Sequence, residues 1–192
     1  LPKHIDTRRR AVETLRAQAV ARGFGPLPGH QAFIDQIEKT GYAVDVKTPP
    51  LVEQVPEVVE VDNPIDEVVF FPGCLINLRL QNVGLNVIEV LKRNHVRVHI
   101  PKEFVCCTSV AFRTGARNTA YKMVLKNADT FRRLGVPKLV SLCPGCMSTI
   151  KIDWPVVLHE KGKPPYRFEP FDINEYLVRQ LGVDRLNTKD LH

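Results

Sequence analysis

The chain has 192 residues and a mass of 21.7 kDa, a length that suits one domain with an appendage better than two full domains. Hydrophobic residues at 44% and charged residues at 25% are ordinary globular usage, which excludes disorder and collagen-like repeats. The longest apolar runs, such as Val68-Val69-Phe70-Phe71, fall far short of the ~18 residues of a membrane span. The net charge of +6 is uneven: residues 1–62 hold 8 Lys/Arg against 9 Asp/Glu, and residues 63–192 hold 19 against 12. A basic domain suits an anionic small molecule or an acidic protein. Nucleic acid is a poor match, because the basic residues are scattered, aromatics are only 7%, and no helix-turn-helix or RNA-binding signature occurs. The chain opens on Leu1 with no signal-peptide pattern, which points to a processed product or a piece of a longer polypeptide.

Residues 1–62 read as an arm. Ile5 to Arg22 predicts a helix with Asp6 or Thr7 as N-cap, Gly23 as stop, and Val12, Leu15, Ala19 and Val20 on one apolar face. The Gly23–Gly29 stretch breaks it, and a second helix runs from His30 to Thr40, ending at Gly41. Thr48-Pro49-Pro50 and the Val/Glu/Pro run to Asp62 read as a linker lying on a surface, since proline removes backbone donors. The arm shows no core of its own and is expected to pack on another domain or subunit.

From residue 63 the pattern changes to alternating strands and helices. Glu67–Phe71, Val96–Ile100, Lys138–Leu142 and Tyr166–Phe171 are the strand candidates. Leu78–Arg93, Ala111–Arg133, a helix from Met147 halted by Pro155, and Ile173–Leu181 are the helices. This alternation predicts an α/β fold, a small three-layer domain on a parallel sheet. The division is therefore a helical arm and linker over 1–62 and a cysteine-rich domain over 63–192.

All five cysteines lie in that second part. Cys74 follows the first strand, Cys106 and Cys107 follow the second, and Cys143-Pro144-Gly145-Cys146 follows the third. An odd count argues against a closed disulfide set, and clustered thiols without a secretory signal point to metal or redox chemistry in a reducing, cytoplasmic compartment. Ligands of open parallel sheets bind beyond the carboxyl ends of the strands, so three segments deliver five soft sulfur donors to one edge. Sulfur suits iron–sulfur clusters and zinc. Structural zinc or a cubane cluster takes four ligands and leaves one thiol over; a larger or irregular multi-iron centre accommodates the adjacent Cys106 and Cys107. A thioredoxin-like reading accounts for Cys143 and Cys146 alone, and the six histidines form no ligand-type pair.

The spacing, with 31 residues between Cys74 and Cys106 and 35 between Cys107 and Cys143, resembles the cysteine-rich "CCG" domain of the heterodisulfide reductase family over about residues 65–182. The resemblance implies that Cys74, Cys106, Cys107, Cys143 and Cys146 are both metal ligands and the catalytic group. They would hold a noncubane [4Fe–4S] cluster that cleaves a disulfide or trisulfide in two one-electron steps. It implies partners: a ferredoxin-type iron–sulfur domain or subunit as electron source, with a flavoprotein or membrane cytochrome subunit and membrane attachment through it as further options. The arm, through Arg8-Arg9-Arg10, Gly23-Phe24-Gly25-Pro26 and Thr40-Gly41-Tyr42, is similar to the tail that follows a ferredoxin-type domain in fused members. Arg113 is the candidate contact for an anionic substrate, with Lys102 and Lys151 behind it; a surface or capping role is the plain alternative. The chain departs from the family pattern in carrying one such domain, and in having Thr108 where a glycine usually follows the paired cysteines. A Cβ there narrows the approach to the site and disfavours positive φ. Two other readings remain open: a non-catalytic module holding zinc or a cubane cluster, and a relay subunit for a hydroxy-acid-oxidising flavoprotein. No nucleotide- or flavin-binding glycine motif occurs in the chain.

Overall fold

The computed structural model describes residues 3–182, with side chains from Thr7 onward. Five strands form one sheet: β1 (Val58–Val59), β2 (Asp66–Phe70), β3 (Val96–His99), β4 (Lys138–Ser141) and β5 (Glu169–Asp172). Their order is β1-β3-β2-β4-β5. The last four are mutually parallel, and the two-residue β1 runs antiparallel to β3, pairing Val58 with His99. Both faces of the sheet are covered, as a continuous apolar strand run requires. Val68 and Phe70 join one core with Val98, Val140 and Phe171, while Val69 and Phe71 join another with Leu139.

The first core is closed by α3 (Leu51–Gln54), α5 (Gln81–Arg93) and α10 (Ile173–Tyr176) through Leu51, Val87, Leu91, Ile173 and Tyr176. The second is closed by α6 (Ser109–Thr114), α7 (Arg117–Leu134) and α9 (Trp154–Glu160) through Phe112, Val124, Phe131, Trp154 and Val157. The result is a three-layer α/β fold. In the second core an aromatic ladder runs from Tyr166 through Phe168, Phe131 and Phe104 to Phe71, with successive ring centroids 4.1, 4.5, 4.8 and 5.2 Å apart.

The arm consists of α1 (Lys3–Ala21) and α2 (Pro28–Thr40). Ile34 enters the second core, Ile37 and Ala43 pack with Val105, Cys106 and Met123, and Leu51 and Val52 enter the first. The arm thus packs on the cysteine-bearing part of the same chain. Helix α1 begins before Asp6 and Thr7, so neither caps it. Its expected apolar face also turns outward: Val12 and Leu15 are 46% and 65% exposed, whereas Glu13 is 2% exposed. Charge pairing overrides the periodicity here, because α1 meets its neighbours through Arg9, Glu13 and Arg16.

Four boundaries differ from the sequence expectation for local reasons. The linker contains α3 and β1, since prolines are compatible with a helix start and a sheet edge. The expected helix 78–93 starts later, as α5 at Gln81, because a separate short helix, α4 (Gly73–Leu78), ends just before it, with Arg79 and Leu80 both donating to the Leu75 carbonyl. The expected helix 111–133 is split into α6 and α7 by Gly115 at φ 87°; a Cβ there would sit 2.6 Å from the Arg16 carbonyl carbon of α1. Pro155 does not halt its helix: after α8 (Pro144–Ser148) the chain widens into a π-helical turn, Thr149–Asp153, and Pro155 falls in the first turn of α9, where its missing N–H costs nothing.

Candidate metal centre

Strand β2 has β3 on one side and β4 on the other, so the connections leaving their carboxyl ends diverge and leave a crevice, the usual ligand position of an open α/β sheet. Cys74 lies in the first turn of α4 after β2, Cys106 and Cys107 in the loop after β3, and Cys143 and Cys146 at the start of α8 after β4. All five are free thiols. Neighbouring thiols act on one another in the series Cys74, Cys106, Cys107, Cys146 and Cys143; Cys74 also feels the charge of Cys143, and Cys107 that of Cys74. The middle three are buried and the two ends, Cys74 and Cys143, are half-exposed.

Backbone amides point at the sulfurs. Ala43 N–H donates to Cys74 Sγ at 3.4 Å, Thr108 N–H to Cys106 Sγ at 3.3 Å, and Cys146 N–H to Cys143 Sγ at 3.4 Å. Ser109 N–H serves Cys107, and Gly145 N–H adds to Cys143. The thiol-to-thiol bonds divide the group. Donation from Cys146, helped by the two amides, holds Cys143 down to about 6. Donation from Cys106 and Cys146 lowers Cys107 against its burial. Cys74 and Cys146 are pushed well up, each first by a neighbouring thiol and then by burial, and Cys106 is raised to about 12 by Cys107. Thiolate character thus falls on Cys107 and Cys143, with the raised thiol of Cys146 between them, which keeps like charges apart.

The donor set fits an iron–sulfur group in kind: five soft sulfurs, converging amides, and Gly73, where a Cβ would come within 3.0 Å of Cys146 Sγ. Among the described residues no group of three or more His, Cys, Asp or Glu side chains is arranged to hold a single metal ion.

The other candidates lie in ordinary ionic contacts. Arg113 is bound by Glu13 and Asp153, each at 3.1 Å, in a network that also includes Arg9. Lys151 pairs with Glu175 at 2.7 Å, and Lys102 is exposed. His99 meets Glu67 at 2.5 Å, and His95 Nδ1 lies 3.1 Å from the Asp62 carbonyl. Sequence reasoning missed the residues that hold the cysteine loops. Trp154 Nε1 donates to the Cys107 carbonyl at 3.1 Å, and fully buried Asn127 bonds Val105 and Cys106. Tyr42 shares a bond with Asn77 close enough to Cys74 to feel its charge. Asn127 left a legible signal, a polar residue on the buried stripe of α7 formed by Met123, Val124 and Phe131. Thr108 does adopt the left-handed conformation, φ 73° and ψ 15°, with its hydroxyl donating to the Cys107 carbonyl at 2.5 Å.

Comparison with known proteins places the cysteine-bearing segment in a family. Residues 68–151 match the family described as "Cysteine-rich domain", CCG. An uncharacterized iron–sulfur protein of Methanocaldococcus jannaschii is 39% identical over 92% of this chain and 34% of that protein. A subunit of the fumarate reductase (CoM/CoB) of Methanothermobacter marburgensis is 33% identical over 94% of this chain and 34% of that protein. A subunit of the dihydromethanophenazine:CoB–CoM heterodisulfide reductase of Methanosarcina barkeri is 27% identical over 91% and 42%. The chain spans about a third of the length of the first two relatives. No described helix is long and apolar enough to cross a membrane. With five cysteines gathered at the switch point of its sheet and a family match across the segments that carry them, residues 68–151 form a CCG cysteine-rich domain, in a chain related to a heterodisulfide reductase subunit and to other iron–sulfur proteins.

Proposed function

We propose that this chain is the disulfide-handling part of a larger iron–sulfur oxidoreductase, with residues 63–192 carrying the centre and residues 1–62 an arm that packs against it. The observation that carries the reading is the delivery of five free thiols by the three segments that follow β2, β3 and β4. Cys74, Cys106, Cys107, Cys143 and Cys146 would hold a noncubane [4Fe–4S] cluster, which supplies one-electron steps that a thiol pair alone does not. The overall reaction takes up two electrons and two protons as one S–S bond breaks, releasing two thiols. The likeness to a heterodisulfide reductase subunit supports a disulfide as substrate, and a ferredoxin-type domain or subunit would deliver the electrons.

The chain's own residues supply backbone donors suited to a negatively charged sulfur centre. Amides of Ala43, Thr108, Ser109, Gly145 and Cys146 face the sulfurs, and the π-helical turn follows directly after α8. The half-exposed ends, Cys74 and Cys143, are where substrate and electron donor would approach. A second reading runs the same couple in reverse, joining two thiols into a disulfide and passing two electrons and two protons to an acceptor such as fumarate on a partner part; the likeness to a fumarate reductase whose name carries the CoM/CoB pair is the observation for it.

The test is anaerobic purification followed by iron, zinc and sulfide analysis, with paramagnetic resonance on the same sample. About four irons with labile sulfide per chain, and a paramagnetic signal that appears on adding a thiol and is lost in Cys107→Ala, are expected. One zinc and no iron would overturn the reading in favour of a structural module.

A further inference from the structure

We infer that Asn127 is a positioning residue that aims the sulfurs of Cys106 and Cys107 into the series. The inference rests on the reading that the five cysteines form one centre. Neighbouring residues of an extended chain point to opposite sides, so two adjacent cysteines can both join one group of sulfurs only if the backbone between and around them is held in an irregular path. The left-handed Thr108 supplies the bend on one side. Asn127 supplies the hold on the other. Its Oδ1 accepts from Val105 N–H at 3.0 Å, and its Nδ2 donates to the Val105 and Cys106 carbonyls, both at 3.2 Å.

Only a carboxamide satisfies that pattern, because one N–H and two carbonyls must be met by a single planar group. A carboxylate cannot donate, and an apolar side chain does neither. Asn127 is fully buried and sits on the 18-residue α7, packed against the sheet, so its amide is a fixed reference point. Around it, Cys106 N–H donates to the Gly41 carbonyl at 2.7 Å, and the Cys107 carbonyl accepts from Trp154 and from the Thr108 hydroxyl. The peptide groups of Val105, Cys106 and Cys107 are thus tied to the arm, to α7 and to α9, with Asn127 holding three of the groups.

The experiment compares wild type with Asn127→Ala, and with the milder Asn127→Ser should the first fail to fold. In the reduced, metal-free protein the alkylation rate of each cysteine by iodoacetamide is resolved by peptide mass spectrometry. Loss of the clamp is expected to raise the rates of Cys106 and Cys107 about tenfold relative to Cys143, the scale of one or two hydrogen bonds released. In the iron-loaded protein, the paramagnetic spectrum of the variant is expected to shift in shape as well as intensity. Equal rate changes at all five cysteines, or none, together with an unaltered spectral shape, would reduce Asn127 to ordinary core packing and overturn the inference. If wild type takes up no iron, the functional reading fails, and the alkylation ratios still decide whether Asn127 aims the paired cysteines.

Discussion

Thr108 shows how much a single residue can be bent to the needs of a site. A β-branched residue at φ 73° is rare, and such a conformation costs ~1–3 kcal/mol unless its surroundings impose it. Here they do: its amide serves Cys106 Sγ, and its hydroxyl shares the Cys107 carbonyl with Trp154. That a Cβ opposes this geometry is legible from the residue type; that the geometry survives is visible only once its partners are in place. The tyrosines give a residue-level prediction. Burial raises Tyr42, and raises Tyr121 and Tyr166 to about 12, with Glu160 adding to the effect at Tyr121. Burial and then Asp66 push Tyr176 higher still. Because the folded values lie above the ordinary 10.0, the protonated phenols contribute stability that is fully present below pH 10.0 and lost as pH rises through the folded values. Phenolate absorbance in the folded protein is therefore expected to stay flat through pH 10.0 and to rise together with loss of circular dichroism. Early ionisation without unfolding would contradict the packing described for Tyr166 and Tyr176.

At the scale of elements, Gly115 matters most. It ends α6, turns the chain into α7, and lets the α1 backbone lie against it. In Gly115→Ala both effects act together: a left-handed alanine, and a methyl within 2.6 Å of the Arg16 carbonyl carbon. The expected loss is about 3 kcal/mol by urea unfolding, from backbone strain plus overpacking, with faster protease cleavage within α1 because that helix must shift. A stability unchanged from wild type would show that α1 does not rest on Gly115. This element also marks where periodicity misleads. The stripe over 111–133 continues unbroken across Gly115, and the Val12–Leu15 stripe of α1 reads as a buried face. In the folded chain a glycine turn divides the first, and a row of charges decides the orientation of the second.

For the whole molecule, the arm is joined to the cysteine-rich part by an ionic quartet. Arg113 from α6 bridges Glu13 of α1 and Asp153 of the π-helical turn, and Arg9 lies 3.7 Å from Asp153 and donates to the Ser148 hydroxyl. Removing one member leaves buried carboxylates facing each other. Arg113→Met, which keeps most of the volume, is expected to cost about 2 kcal/mol, less than a fully buried pair because the guanidinium is 28% exposed. Denaturant midpoints check this. Were Arg113 only an anion contact for substrate, the midpoint would not move. Asp153 lies on the turn that follows the Cys146 helix, and Ser148 ends that helix, so arm and cysteine segment share one support.

Layer architecture and the identity of the candidate sulfur donors are written in the order of residues along the chain. Strand and helix periods are local properties, and a cysteine after each of three parallel strands must meet the others at the carboxyl edge of the sheet. How those donors are held is a matter of tertiary packing. That Cys106 and Cys107 both face inward depends on Asn127, Trp154 and the Gly41 carbonyl, which lie 21, 47 and 65 residues away from them in the chain. The packing of a charged face of α1 against the domain depends on Arg113 and Asp153 lying opposite Glu13. Such contacts arise from packing between elements, and no periodicity within one element encodes them.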